Sequence, residues 1–314
     1  MIQSEFLIPK TTFKYDIVIL GQHHQPEVHY LREVLEKLKQ RKETSAKFEF
    51  VVEFETQFNF IYNDLLQKNN DFIDYKGQTP IIYFRDLSVI IGNFNSFLSF
   101  ITENFSYIEE KTVEDFEGMA MAKYQAILNN GVNYYAFLEV NDFIQKNGKD
   151  YSLFKDSSQR TIVLELYFQV CPRTVMNFLE ICKESHKNKK GEKLSYKGCE
   201  IFRVVKNGYI QSGDLSQLSG PKSIYGEKFE DENFTIKHDV PGVLGSVKYR
   251  QQIHSNESQF YITLNSLKHF DDKFVAFGRV VKGFDVIKRM SLVDLYLQRP
   301  KQKIEIVKCG VFNG

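Results

Sequence analysis

Ser223–Phe234 reads SIYGEKFEDENF, and short apolar runs crowd the sequence on either side of it. Upstream lie Tyr134–Val140 (YYAFLEV), Thr161–Tyr167 (TIVLELY), Ile201–Val205 and Tyr209–Gln211. Downstream lie Phe260–Leu264, Phe274–Val281 and Lys303–Lys308. β-Branched and aromatic residues dominate these runs, as they do in strands. Two helices interrupt them. Pro172–Glu184 puts Val175, Phe178, Leu179 and Cys182 on one face, and a second helix near Phe284–Met290 follows Gly283. Many strands with two helices predict a closed antiparallel β-barrel with helical caps.

The first half follows a different order. Tyr15–Leu20 (YDIVIL), closed by Gly21, reads as a buried strand, and Pro26 suits the first turn of a helix. Apolar residues at 28, 31, 34, 35 and 38 keep helical spacing up to the basic run Lys37–Lys42. Phe48–Phe54 is the next strand and Phe58–Leu66 the next helical stretch. Pro80–Phe84 and Ser88–Ile91 form a hairpin around Arg85-Asp86-Leu87, and Asn95 is placed to cap a helix over Ser96–Phe105. This α/β order, β-α-β-α-β-β-α, resembles the thioredoxin/glutaredoxin fold, with Thr79-Pro80 where that family has a cis-proline. Redox work would need a cysteine at the start of the first helix, where the helix dipole lowers a thiol pKa. That position reads Gly21-Gln22-His23-His24-Gln25-Pro26, and no cysteine occurs before Cys171. Thiol–disulfide exchange by this half is excluded, which leaves a non-redox interaction module. His23, His24 and His29 are expected to be exposed polar side chains at a helix entry rather than metal ligands.

From Thr112 a new helix start is followed by Val113, Phe116, Met119, Ala120, Tyr124, Ile127 and Leu128 at helical spacing, with Asn129-Asn130-Gly131 as the stop. The expected layout is therefore 1–110, thioredoxin-like; 111–131, a connecting helix docked on one neighbour; and 132–314, the strand-rich domain. A length of 314 residues suits two domains, and 42% hydrophobic with 26% charged residues suits globular ones. No apolar window is long enough for a transmembrane helix, and Met1–Lys10 lacks the pattern of a signal peptide. Cys171, Cys182, Cys199 and Cys309 are too scattered for a zinc site or a secreted disulfide frame and read as packing residues, so a cytoplasmic protein is expected. The net charge of +1 divides into 13 Lys/Arg against 19 Asp/Glu through Gly131 and 28 against 21 beyond it. That division argues against a nucleic-acid binder. It fits contact between the halves or with an acidic partner, and equally two solvated surfaces of different charge.

SIYGEKFEDENF, together with TIVLELYFQVCPRTVMNFLEIC, YKGCEIFRVVKNGYIQSGD, HDVPGVLG, NESQFYITL, FVAFGRVVKGFDVI and KIEIVKCGVF in that order, is similar to the cyclophilin-type peptidyl-prolyl cis-trans isomerases. The resemblance covers Tyr134–Phe312 apart from an insertion at Asn141–Gln159. Rotation about an X-Pro bond faces a barrier of about 18–20 kcal/mol. A catalyst needs an apolar pocket for the ring and a cation or donor favouring the twisted amide, with no metal or cofactor. On the resemblance, Arg203 is the catalytic arginine and Gln211 the glutamine supporting it. Gln259, Tyr261, Tyr209, Phe270, Phe274 and His269 occupy the substrate-binding positions. The alternative for Arg203 is an ordinary arginine at the barrel rim.

Departures from the family cluster at this site. Phe202 replaces a histidine, Gly208 a pocket phenylalanine and Tyr209 a methionine. Tyr261 stands for phenylalanine, His269 for the tryptophan that holds cyclosporin, and Phe270 and Phe274 for leucine and histidine. Val247–Glu257 is two residues longer and bulkier than the usual peptide shelf. Weak or absent isomerase activity and weak cyclosporin binding are expected, with Tyr209 available to fill the gap at Gly208. The cysteine-free first half, Asn207–Asp214 and Ser258–Leu264 resemble the peptidyl-prolyl isomerase-like 6 subfamily, a radial spoke cyclophilin of motile cilia. That resemblance implies a scaffold in the axoneme, among other radial spoke proteins and proline-containing segments, with no membrane or nucleic acid as partner. The competing reading is an active isomerase serving as a general folding helper in the cytosol.

Overall fold

The computed structural model describes residues 16–41, 47–105, 107, 109–130, 132–141, 145–146, 149–150, 160–188, 190–218, 222–226 and 228–312. The chain forms two compact units, Met1–Ala126 and Ile127–Gly314. The first runs β1 (Asp16–Gln22), α1 (Pro26–Gln40), β2 (Lys47–Glu53), α2 (Glu55–Lys68), β3 (Ile81–Phe84), β4 (Ile90–Gly92), α3 (Phe94–Phe105) and the start of α4 (Glu117–Asn130). Its sheet order is β2-β1-β3-β4, with β1 parallel to β2 and antiparallel to β3. Side chains of a strand alternate between faces, and β1 uses both. Ile17 and Ile19 enter one apolar cluster with Leu31, Leu35, Phe97 and Ile101 of α1 and α3. Val18 and Leu20 enter a second with Phe58, Tyr62 and Leu65 of α2. The continuous apolar run YDIVIL thus reflects a strand covered on two sides.

Two local expectations change in this unit. Asn93, not Asn95, caps α3, its side-chain oxygen accepting from the Ser96 amide at 3.1 Å, because the helix begins at Phe94 and takes Asn95 into its first turn. His29 is buried rather than exposed, since it lies on the covered side of α1 between Val28 and Tyr30. Its Nε2 donates to the His23 carbonyl at 3.2 Å, and burial pushes its pKa below the usual 6.5. The Thr79-Pro80 bond is cis. The segment preceding α4 and the first turns of that helix belong to the same unit: Phe116 meets Tyr30 edge-on, and Tyr124 of α4 meets Phe54.

The second unit contains β5 (Tyr134–Val140), β6 (Gln145–Lys146), β7 (Lys149–Asp150), β8 (Thr161–Leu166), α5 (Pro172–Cys182), β9 (Arg203–Val205), β10 (Tyr209–Ser212), β11 (Val243–Lys248), β12 (Asn256–Thr263), β13 (Ala276–Lys282), α6 (Phe284–Ser291), β14 (Leu295–Tyr296), β15 (Arg299–Pro300) and β16 (Ile306–Val311). Within the insertion expected at Asn141–Gln159, β6 pairs with β7, while residues 142–144, 147–148 and 151–159 lie outside the described residues. The main sheet has eight antiparallel strands in the order β16-β5-β8-β13-β11-β12-β10-β9. It is curled rather than laddered into a complete circuit: β9 is three residues long and does not pair with β16. The residues before β9 make the bridge instead. Gly198 and Ile201 donate to the carbonyls of Ile306 and Ile304, each at 2.8 Å, and Ile306 donates to Cys199 at 2.9 Å. Register shifts in β11, β13 and β16 accommodate the bend. Strand β11 was not foreseen, because Gly245 and Ser246 dilute its apolar pattern.

SIYGEKFEDENF forms a strap between α5 and the strand pair β11–β12. The Glu232 carboxylate accepts from the Arg173 and Thr174 amides at 2.8 and 2.7 Å, satisfying donors that every helix N-terminus leaves open. Asp231 accepts from Lys248 Nζ at 2.8 Å and Asn256 Nδ2 at 2.9 Å. From α5, Asn177 accepts from the Ile224 amide at 3.0 Å and donates to the Glu257 carbonyl at 2.9 Å. Below the strap Phe178 packs on Tyr196, Phe260 and Phe277. Lys248 and Asp231 are both buried, so removing one partner strands the other charge. Asp231→Asn is expected to cost about 3–5 kcal/mol in urea unfolding, and adding Lys248→Met to it should recover part of that loss. A single variant within 1 kcal/mol of wild type would contradict the strap's role, a margin of about one ordinary hydrogen bond.

Candidate functional site

β9, β10 and β12 lie side by side in a register that sets Gln211 opposite Arg203 on one neighbour and Tyr261 on the other. Directly opposed residues in an antiparallel pair share a face, so this backbone alone gathers three of the expected site residues. They open on a hollow of about 360 Å³. Its aromatic floor is Tyr209, Tyr261, Phe270 and Phe274; Arg203, Gln211 and Gln259 form a polar wall; Val247–Arg250 and Glu257 form the shelf. His269 does not line it. It stands exposed on the turn Lys268–Phe270, edge-on to Phe270 with ring centres 4.8 Å apart.

The glutamines are arranged otherwise than expected. Gln211 Nε2 donates to Gln259 Oε1 at 2.9 Å, while Arg203 Nε donates to Gln298 Oε1 at 2.8 Å. Gln211 thus gives its amide donor to Gln259, while Arg203 finds its acceptor in Gln298. The guanidinium carbon lies 5.5 Å from the centre of the Tyr209 ring, a cation–π distance. Tyr209 also packs against Phe270 at 5.5 Å and Tyr261 at 5.9 Å. It supplies the wall for which Gly208 has no side chain. Gly208 itself sits in the turn after β9, where a Cβ would come within 2.9 Å of the Val205 side chain.

Tyr261 carries the feature least visible beforehand. Its ring is buried and its hydroxyl lies 2.6 Å from His238 Nε2, while His238 Nδ1 lies 2.9 Å from Asp271 Oδ1. An ionised carboxylate only accepts, so Nδ1 carries the proton, and Nε2 is left to accept from the tyrosine. Gly245 makes the room: a Cβ there would fall 2.1 Å from the Tyr261 hydroxyl oxygen. Burial pushes the His238 pKa below 6.5 despite the pull of Asp271, and burial raises that of Tyr261. In the string HDVPGVLG nothing local marks His238 as this partner. The signal was the tyrosine itself, a buried polar atom in a phenylalanine's place that requires a partner.

The shelf is both charged and aromatic. Lys248 is held by Asp231 and lies 5.8 Å from the Phe274 ring centre, and Lys228 covers Tyr249 at 3.6 Å. Burial raises the pKa of Glu257 against the field of Lys228 and Lys222. Among the described residues no group of three or more His, Cys, Asp or Glu is placed to hold a metal ion. Cys171, Cys182 and Cys199 are buried packing residues, and burial raises their thiols. Cys309 differs. It is half-buried, and a hydrogen bond with Cys182 lowers its pKa to about 7.

A concave site on a curled antiparallel sheet, with an arginine over an aromatic floor, defines a cyclophilin-like domain. The family description "Cyclophilin type peptidyl-prolyl cis-trans isomerase/CLD" matches residues 151–311, about half of the chain, and the chain belongs to that family. The likeness to the isomerase-like 6 subfamily also holds. The mouse protein named "Probable inactive peptidyl-prolyl cis-trans isomerase-like 6" is 45% identical over 153 residues, 48% of each chain. The human protein of that name is 42% identical over 152 residues, again 48% of each. "Peptidyl-prolyl cis-trans isomerase D" of Mycosarcoma maydis is 42% identical over 157 residues, 49% of this chain and 39% of its own. The match thus spans about half the length of the isomerase-like 6 relatives.

His238 binds its proton less tightly folded than unfolded, so its contribution to stability is complete above pH 6.5 and falls as the pH drops through that value. Buried His29 acts in the same direction. The urea midpoint should fall between pH 7.5 and pH 5.5, and less steeply in His238→Asn. Tyr261→Phe should cost about 1–3 kcal/mol at pH 7.5 by leaving Nε2 unpaired. Equal midpoints for Tyr261→Phe and wild type would remove the chain of bonds from this account.

Proposed function

We propose that the hollow binds proline-containing peptide segments and that the domain is a slow isomerase or a pure binder, with Arg203 as the electrostatic residue. The carrying observation is the aromatic floor with the Arg203 guanidinium beside Tyr209. Apolar rings take a proline, and a cation at their edge favours the pyramidal prolyl nitrogen of the twisted amide. The filled floor and charged shelf, together with relatives named as probable inactive enzymes, support low turnover. In this reading Gln211, Gln259, Tyr209, Tyr261, Phe270 and Phe274 contact the peptide, and His269 flanks them.

The first unit we read as a thioredoxin-like module without redox chemistry. The β2-β1-β3-β4 order, the mixed strand directions and the cis Thr79-Pro80 bond support this reading. The whole chain we assign to a scaffold in the cytoplasm of motile cilia, in the axonemal radial spoke, on its resemblance to the isomerase-like 6 subfamily. Retention in salt-washed axonemes checks that assignment, and a freely extracted pool would count against it.

The site is tested with a short Ala-Pro peptide. NMR titration of the full chain should shift resonances of Arg203, Tyr209 and Gln259 saturably, with exchange between cis and trans peptide little faster than in buffer. Arg203→Ala should return any acceleration to background. Absence of both shifts and acceleration in the wild type would end the reading, and acceleration untouched by Arg203→Ala would end Arg203's role.

A further inference from the structure

The hairpin of β14 and β15 approaches β9 without an apolar anchor at its tip. Tyr296 is 69% and Leu297 is 84% exposed. Leu295 of β14 packs on the core, and polar bonds hold the tip. The Val204 amide donates to the Gln298 carbonyl at 2.7 Å, which covers a donor on the edge strand β9. Arg299 reaches Glu200 at 2.9 Å, and the Lys301 amide donates to the Asp294 carbonyl at 2.9 Å. Leu297 and Gln298 turn the chain with φ of 47° and 68°. In that left-handed region the backbone of residue 298 faces β9, and its side chain lies beside residue 203.

From this geometry we propose that Gln298 is the positioning residue for Arg203, performing the task that the family pattern gives to the glutamine at 211. The bond to Nε fixes the direction of a side chain that otherwise loses rotamer freedom on binding. Among the described residues the two Nη groups make no hydrogen bond, so they remain available to a peptide. Gln211 donates to Gln259 further along the same wall. The acceptor on Arg203 therefore comes from an element 95 residues along the chain, outside the motif that carries the arginine. The consequence for a bound proline segment rests on the reading that the hollow accepts one.

Gln298→Gly separates the side chain from the turn, because glycine adopts positive φ without strain and keeps the carbonyl that receives Val204. In the full-length protein the Arg203 Nε–H resonance, assigned by its disappearance in Arg203→Lys, should lose its protection from solvent exchange in Gln298→Gly. The Val204 amide should stay protected. Gln298→Glu retains the acceptor and should restore Nε–H protection. Affinity for the Ala-Pro peptide should fall about tenfold in Gln298→Gly, the ratio that 1.4 kcal/mol represents, and recover in Gln298→Glu. An Nε–H signal equally protected in wild type and Gln298→Gly would overturn the proposal, as would unchanged peptide affinity where Arg203→Ala weakens it. If no variant binds peptide, the proline-binding reading fails, while the exchange measurement still decides whether Gln298 holds Arg203.

Discussion

Two adjacent carboxylates, Asp231 and Glu232, tie the cyclophilin-like unit together. One neutralises Lys248 where both are buried, and the other closes the N-terminus of α5. The Asp231–Lys248 pair would not be stable with either partner alone, since a buried charge needs a partner and hydrogen bonds. Between them they connect the helix that covers the core with the strands that build the hollow. Phe178, Tyr196, Phe260 and Phe277 then pack under a lid that cannot slide. This explains why a polar string, rather than an apolar one, distinguishes the fold: its side chains are chosen by the atoms they bond.

The site follows from the same rule applied to tyrosine. A phenol in the floor brings an O–H into a dry region, and three further residues are required to admit it. Gly245 clears the space, His238 accepts the hydrogen bond, and Asp271 fixes the tautomer. The hydroxyl is thereby turned inward, and the ring face is what the hollow offers. The change from a phenylalanine leaves the floor apolar while stiffening it. Tyr209, Phe270 and Phe274 close around the same ring.

Much of this was legible in the sequence because it depends on short-range pattern. The order of strands and helices, Pro26 and Pro172 opening helices, and Arg203 with Gln211 on adjoining strands all follow from spacing. What escaped depends on side-chain meetings far apart in sequence. Gln298 lies in a hairpin far along the chain, so nothing local tied it to Arg203. His29 was misjudged since a helix covered on more than one side buries polar neighbours of its apolar stripe. Strand β11 was hidden by Gly245, whose reason is a tyrosine on the next strand. The expected closed barrel became a curled sheet because β9 is too short to carry a ladder across the gap.

That shortness also bears on chemistry. Arg203 begins a three-residue strand at the open end of the sheet, whereas Tyr261 sits within an eight-residue strand paired on both sides. The two halves of the hollow therefore differ in mechanical footing: the floor is part of the core, and the cation is held by a hairpin at the rim. Local openings are cheapest at edges with few buried contacts. The orientation of the cation can therefore be lost while the floor keeps its shape, and changes confined to the hairpin around Gln298 leave the strap and the core untouched.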